Sequence, residues 1–261
     1  MKDNSVVTLF DIEFNNVTML ETLELMKGII NENKLNGNSD FLVTPNVDHI
    51  VNVHKNKEFR ELYKKAKLKL VDGQPIIFAS KFFKKPIKEK ISGSDLTPEI
   101  FKMANNNKFK VFIFGSKPGV PEKAINLLLK KNQDINTIGF YSPPFGFENN
   151  EEQLKVSINK IKNFKPDILL VSLGSPKGEF FIANYLDELK VPLSIQVGAS
   201  IDFIANTIPR APIWMQKSGL EWLFRFLREP NRMFYRYFIN DSYFVVLLFK
   251  EWKKRRGVNV K

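Results

Sequence analysis

The sequence predicts an α/β protein: a doubly wound, mainly parallel sheet followed by a helical C-terminal appendage. Three observations carry this. Residues 110–114 and 167–173 are nearly unbroken apolar runs, the pattern of strands buried on both faces. Three such strands run into loops bearing Gly115, Gly174 and Gly198, and short strands alternate with helical segments. Beyond Phe203 the strand pattern stops and basic and aromatic residues take over. The expected division is therefore a catalytic core over 1–207 and an appendage over 208–261.

Taken in order, residues 5–15 alternate weakly and read as an edge strand or hairpin arm. Thr18 opens a helix, with Glu21 at capping-box spacing and Leu20, Leu23, Leu25, Met26, Ile29 and Ile30 as its apolar positions. Residues 34–40 read as a polar loop, 41–44 as a strand stopped by Pro45, and 47–65 as one helix. A strand over 68–71 exits through Asp72-Gly73 into a short apolar helix over 75–83. The turn 91–96 leads to a helix near 97–105, with Asp95 or Thr97 as its cap. After the strand 110–114 come a helix over 121–131, a strand over 136–140 and a helix over 149–163. The strand 167–173 feeds another helix, and the strand 192–197 ends the core pattern. In the appendage, 216–228 and 231–254 read as helices separated by Pro230.

Composition narrows the chemistry. The chain has 261 residues and no cysteine, so disulfides, thiolate metal sites and cysteine nucleophiles are excluded. Only His49 and His54 could supply imidazole; their spacing is poor for one helical face, and no metal-ligand cluster accompanies them. With no apolar run long enough to span a bilayer and no signal-peptide pattern, a cytosolic protein is expected. The net charge of +12 is uneven: residues 210–261 hold twelve Lys/Arg against four Asp/Glu, a net of +8, with twelve of the 33 aromatics. Such a tail suits an anionic membrane surface, a pyrophosphate ligand or nucleic acid.

Asp72 is the first candidate for chemistry, because a strand ending in Asp-Gly puts a carboxylate at the sheet edge where ligands bind. Asp-Gly is equally an ordinary turn dipeptide. Strand, glycine turn and helix at Gly115-Ser116 form phosphate-binding geometry, although neither a GxGxxG nor a Walker A motif is present and a tight turn alone would also use glycine. Arg225, Arg228, Arg232 and Arg236 recur at steps of three and four along one helical face.

An ordered set of short motifs then becomes recognisable. Thr44-Pro-Asn46, Val71-Asp72-Gly73, Gly93-Ser-Asp95-Leu96, Phe114-Gly115-Ser116, Leu173-Gly174-Ser-Pro-Lys177, Val197-Gly198 with Asp202-Phe203, and Arg210-Ala-Pro-Ile-Trp214 through Glu229-Pro230 and Arg232 span nearly the whole chain. Together they resemble the WecG/TagA/CpsF family of bacterial glycosyltransferases. The resemblance implies a Rossmann-like core and inverting, metal-independent transfer of a sugar from a UDP-sugar to a sugar on polyprenyl pyrophosphate. N-acetylmannosamine is the donor sugar it favours, with a UDP-hexose for capsule or exopolysaccharide as the alternative. It implies no cofactor, a peripheral position on the inner face of the cell membrane, and no nucleic-acid partner; exposed aromatics add an expectation of self-association.

By the same resemblance, Asp72 matches the catalytic base, with Thr44 and Asn46 beside it. Gly115, Ser116, Gly174, Lys177, Gly198 and Asp202 would line the nucleotide-sugar site. Lys90, Arg210, Arg225, Arg232 and Arg236 would meet the acceptor pyrophosphate. Two positions depart from the family pattern: Gly178 stands where a glutamine is usual, and Lys90 where an arginine is usual, which keeps the charge but loses the bidentate fork. Two other classes compete. A nicotinamide-dependent dehydrogenase would want a GxGxxG turn, and a nucleic-acid module would want its arginines on a polar arm rather than among large apolar residues.

Overall fold

The structure, a computed structural model, describes residues 5–130 and 137–257. Strands β1 (Val6–Leu9) and β2 (Ile12–Asn15) form an antiparallel hairpin of their own. Phe10 and Asp11 turn it with φ of 53° and 56°, the left-handed pair that suits a two-residue hairpin. Helix α1 (Met19–Asn36) has the expected capping box of Thr18 and Glu21. It runs into the start of the stretch expected as loop and stops at Gly37, whose left-handed backbone ends it.

Strand β3 (Asp40–Val43) leads to α2 (Val47–Lys55) and α3 (Lys57–Lys65). The single helix expected here is two, because Asn56 is extended and its side chain accepts from the Phe59 N–H to cap the second. Strand β4 is shorter than expected, with only Leu68–Lys69 in the ladder, and α4 (Gln74–Phe82) follows Asp72-Gly73. Helix α5 (Gly93–Asn107) starts earlier than expected: its cap is Ser92, whose hydroxyl accepts from the Asp95 N–H, rather than Asp95 or Thr97.

Strand β5 (Val111–Gly115), α6 (Val120–Leu129), β6 (Ile138–Tyr141), α7 (Glu151–Phe164), β7 (Ile168–Ser172), α8 (Lys177–Leu189), β8 (Leu193–Gln196) and α9 (Ser200–Ile204) complete the core. The end expected for the helix before β6 and the start expected for β6 fall on residues 131 and 136, outside the described residues.

All six core strands are parallel, in the order β4-β3-β8-β7-β5-β6. Helices cover both faces, which is what fully apolar strands require. Phe112, Phe114, Leu169 and Val171 pack with α2, α3, α7 and α8, while Val111, Ile113, Ile168 and Leu170 pack with α1, α5 and α6. Because β8, β7 and β5 are neighbours and parallel, their three glycine loops lie side by side on one edge. The exits of β3 and β4 continue that edge.

The appendage is more broken than two helices. It comprises α10 (Ile213–Lys217), α11 (Glu221–Arg228), α12 (Pro230–Phe234), a π-helical turn over Tyr235–Asn240 and α13 (Tyr243–Arg255). Helix α13 lies on the hairpin: the Phe10 and Phe244 rings are 5.1 Å apart, and the Phe10 N–H donates to Glu251 Oε2 at 3.2 Å.

Candidate active site

The candidate residues along the carboxyl edge of the sheet fall into two halves built from different materials. The first is backbone held by small polar side chains. Ser172, the last residue of β7, donates its hydroxyl to the Gly198 carbonyl at 2.6 Å, and the Ser116 hydroxyl donates to Ser172 Oγ at 2.7 Å. Gln196, the last residue of β8, donates Nε2 to the Leu173 carbonyl at 2.7 Å and accepts the Gly198 N–H on Oε1 at 2.6 Å. Gly115 is required where it stands. Its φ is 105°, and a Cβ would lie 2.5 Å from the Ser172 carbonyl oxygen. Gly178, at the start of α8, leaves the space that Gln196 fills; a Cβ there would meet Gln196 Cγ at 2.5 Å.

Asp202 closes this half from α9. Its carboxylate accepts from the Thr207 hydroxyl at 3.2 Å, and burial holds its pKa above the ordinary aspartate value. Lys177 pairs with Glu148 and rides over the Phe145 ring at 5.5 Å. Gly174, in the connection from β7 to α8, accepts from the Gly178 N–H at 3.1 Å.

The second half is built from charge. The Asp72 N–H donates to the Pro45 carbonyl at 2.9 Å, which sets Asp72 beside Thr44 and Asn46 at the ends of β3 and β4. Asn46 caps α2 by accepting from the His49 N–H, and Thr44 is buried against the Gly93 turn. Burial pushes the Asp72 carboxyl up to about 6, against the positive charges of Arg225 and Lys90 and with the help of Glu221 and Asp95.

Those neighbours form a cluster across the core and the appendage. Arg210 meets Asp95 at 2.6 Å and Glu221 at 3.4 Å, while Lys90 lies 3.2 Å from Glu221 and 4.0 Å from Asp95. Lys90 and Arg210 are thus joined to carboxylates and fasten the appendage beside Asp72. Arg225 lies 5.9 Å from the centre of the Phe203 ring. Arg225, Arg232 and Arg236 all act electrostatically on the partly buried phenol of Tyr237, whose pKa burial raises. Arg232 pairs with Glu229 at 2.7 Å and is largely exposed, and Arg236 faces Asp48 at 3.7 Å. Among the described residues no group of three or more His, Asp or Glu is placed to hold a metal ion.

The model of the glycosyl transferase WecG/TagA/CpsF family matches residues 7–258. The chain belongs to that family. Two Staphylococcus aureus proteins, from strains MW2 and NCTC 8325 / PS 47, are similar to it. Each is named N-acetylglucosaminyldiphosphoundecaprenol N-acetyl-beta-D-mannosaminyltransferase, and each is 29% identical over 227 residues, covering 87% of this chain and 86% of its own.

As a member of the WecG/TagA/CpsF family, the chain is a glycosyltransferase. Several residues that shape its crevice were not among the sequence candidates. Ser172 and Gln196 were readable as polar residues ending apolar strands ahead of glycine turns. Asp95 is predicted as a cap and as part of the Gly93-Ser-Asp95-Leu96 motif, and nothing in the sequence marks Glu221 as a partner of Lys90. His49, read as a helix residue, is buried between the Tyr63 hydroxyl at 2.7 Å and Glu179 at 3.4 Å. Burial keeps its imidazole pKa below the ordinary value.

Proposed function

We propose that this glycosyltransferase moves N-acetylmannosamine from UDP to a sugar carried on polyprenyl pyrophosphate, with inversion and without a metal, in the synthesis of a cell-surface polysaccharide. The observation that carries the reading is Asp72: a carboxylate raised to about 6 at the sheet edge, with glycine loops on one side and a cationic appendage on the other. The names of the relatives supply the sugar and the acceptor class.

In this reaction Asp72 takes the proton of the acceptor hydroxyl as its oxygen attacks the anomeric carbon. The bond from that carbon to the UDP oxygen breaks, and its electron pair leaves with UDP. Backbone N–H groups of the Gly115, Gly174 and Gly198 loops, with Lys177, receive the developing charge. Asp202 is placed to orient the nucleoside. Thr44 and Asn46 hold the donor sugar or acceptor hydroxyl beside the base. Arg225, Arg232 and Arg236 draw in the acceptor pyrophosphate, while Lys90 and Arg210 reach it through the cluster they build.

The protein works on the inner face of the membrane as a peripheral, self-associating protein. In keeping with that, among the described residues no helix is long and apolar enough to cross a bilayer. A panel of labelled UDP-sugars with a short-chain lipid-pyrophosphate acceptor tests the reading. UDP-N-acetylmannosamine should be consumed fastest, with inverted product and full activity in a chelator. Transfer of a UDP-hexose alone would change the donor, and stabilisation by NAD but not UDP would overturn the class.

A further inference from the structure

The helix that leaves Asp72 carries an outer face that no described part of the chain covers. Helix α4 buries Ile76, Ile77, Ala79 and Ser80 against the core. Its opposite face presents Phe78, 60% exposed, and Phe82, 69% exposed, one turn apart. Lys81 stands between them, and Lys84 and Lys85 follow the helix end, all exposed. Between Asp72 and Glu89 the sequence has no acidic residue. Lys88 is held by Glu21 at 2.8 Å, whereas Lys81, Lys84 and Lys85 meet no carboxylate among the described residues. Two exposed phenylalanines bordered by unpaired lysines match the interfacial zone of an anionic bilayer, where rings enter the acyl boundary and ammonium groups stay with the phosphates.

The appendage touches α4 at both ends. Gly219, with φ of 76°, sits so close to the start of α4 that a Cβ would come within 2.8 Å of Gln74 Cγ. At the other end the Arg255 guanidinium lies 5.3 Å from the Phe83 ring centre. The appendage is itself rich in exposed apolar side chains, among them Trp214, Phe234 and Phe249.

We propose that α4 is a membrane-contacting helix supplied by the catalytic core, with Phe78 and Phe82 inserted among anionic lipids and Lys81, Lys84 and Lys85 on their headgroups. This rests on the reading of the protein as a transferase with a lipid-borne acceptor. Its consequence is positional. The N-cap of α4 is Gly73, so a nine-residue helix, about 13 Å long, separates the base from the far end of the contact.

The absence of cysteine makes the test direct. Phe78→Cys, Phe82→Cys and, in the appendage, Phe249→Cys each take a single environment-sensitive fluorophore. The labelled full chains are mixed with vesicles of equal parts phosphatidylglycerol and phosphatidylcholine, or of phosphatidylcholine alone. A blue shift at 78 and 82 on the anionic vesicles, weaker on the neutral ones, is expected. A shift at 249 without one at 78 or 82 overturns the role of α4 and leaves membrane association standing; no shift at any site removes both. A blue shift at 78 and 82 that grows with protein concentration in the absence of vesicles assigns the face to a second copy and also overturns the proposal. The double variant Phe78→Ser, Phe82→Ser should weaken vesicle binding about tenfold or more, the effect of withdrawing large apolar side chains from a buried position. It should raise KM for a long-chain lipid acceptor and leave turnover of a short-chain soluble acceptor unchanged, which also shows that the variant is folded.

Discussion

The two halves of the sheet edge are held together by opposite routes. On the glycine-loop side, neighbouring strands end together, and Ser172 and Gln196 tie their exits through bonds between segments already adjacent in the sheet. On the Asp72 side, position depends on charge pairs between residues 115 and 131 apart in sequence, Asp95 with Arg210 and Lys90 with Glu221. The first arrangement is fixed by topology and carries little net charge, which suits recognition of a nucleotide by backbone donors. The second carries the titrating group and can be tuned or undone by single charges.

The comparison is broken most completely at Asp72. Asp72→Asn should lower kcat by about 10²–10⁴-fold if the proposed base is lost, with UDP affinity by calorimetry unchanged, since the proposed nucleotide site lies in the other half. Gly115→Ala should do the reverse. Its Cβ cannot approach the Ser172 carbonyl at 2.5 Å, so the loops must shift at a cost of about 1–3 kcal/mol, read as a lower melting midpoint and lost UDP binding. Gln196→Leu removes the bond from Nε2 to the Leu173 carbonyl, which joins two loops, and the local bond from the Gly198 N–H. The donor KM should rise about tenfold for a loss of about 1.4 kcal/mol, with kcat less affected, and Gln196→Glu, which keeps the acceptor for the Gly198 N–H, should recover part of it.

Charge tuning has smaller effects. The base proposed at Asp72 works only when ionised, so kcat/KM should fall below pH about 6; Arg225→Ala removes a cation that favours the ionised form, and this acid limb should move to higher pH. The smallest effect is expected where the appendage meets α2. Asn240 donates to Asp48 at 2.7 Å, and Arg236 faces the same carboxylate. Burial first, then the Asp48 charge, raises the Asp241 pKa from 3.8 to about 7. The folded state therefore holds a proton that the unfolded chain has lost between these values, and stability falls as pH rises through that window. Asp241→Asn should flatten that decline and raise the melting midpoint at pH 8 relative to the parent, as a thermal scan at two pH values would read.

Legibility in the sequence followed the same division. The strands at 111–115 and 168–172 were visible because both of their faces are apolar, and glycine at their ends marked the loops. Asp72 could be placed at the sheet edge from its position after Leu68, although only two residues there join the ladder. The partners of Lys90 and Arg210 were not legible, since local sequence does not record an ion pair more than a hundred residues long. Nor was the break at Asn56, a residue that passes inside a helix until its side chain is seen to cap the next one. The spacing of Arg225, Arg228, Arg232 and Arg236 predicts one helical face, but α11 ends at Arg228 before α12 begins at Pro230, and a π-helical turn over Tyr235–Asn240 carries Arg236.

The packing of the N-terminal hairpin on α13 bears on synthesis. Phe10 is 2% exposed because Phe244 and the last helix cover it, and Asp11 meets Lys254 at 2.6 Å. A ribosome makes Phe10 well before Phe244, so at roughly 5–20 residues per second the ring waits many seconds for its partner. During that interval the sheet can assemble from the middle of the chain, but its first and last segments cannot close. A chain stalled before α13 would therefore leave the hairpin's apolar residues uncovered, a mark by which a chaperone or protease could tell an unfinished molecule from a finished one.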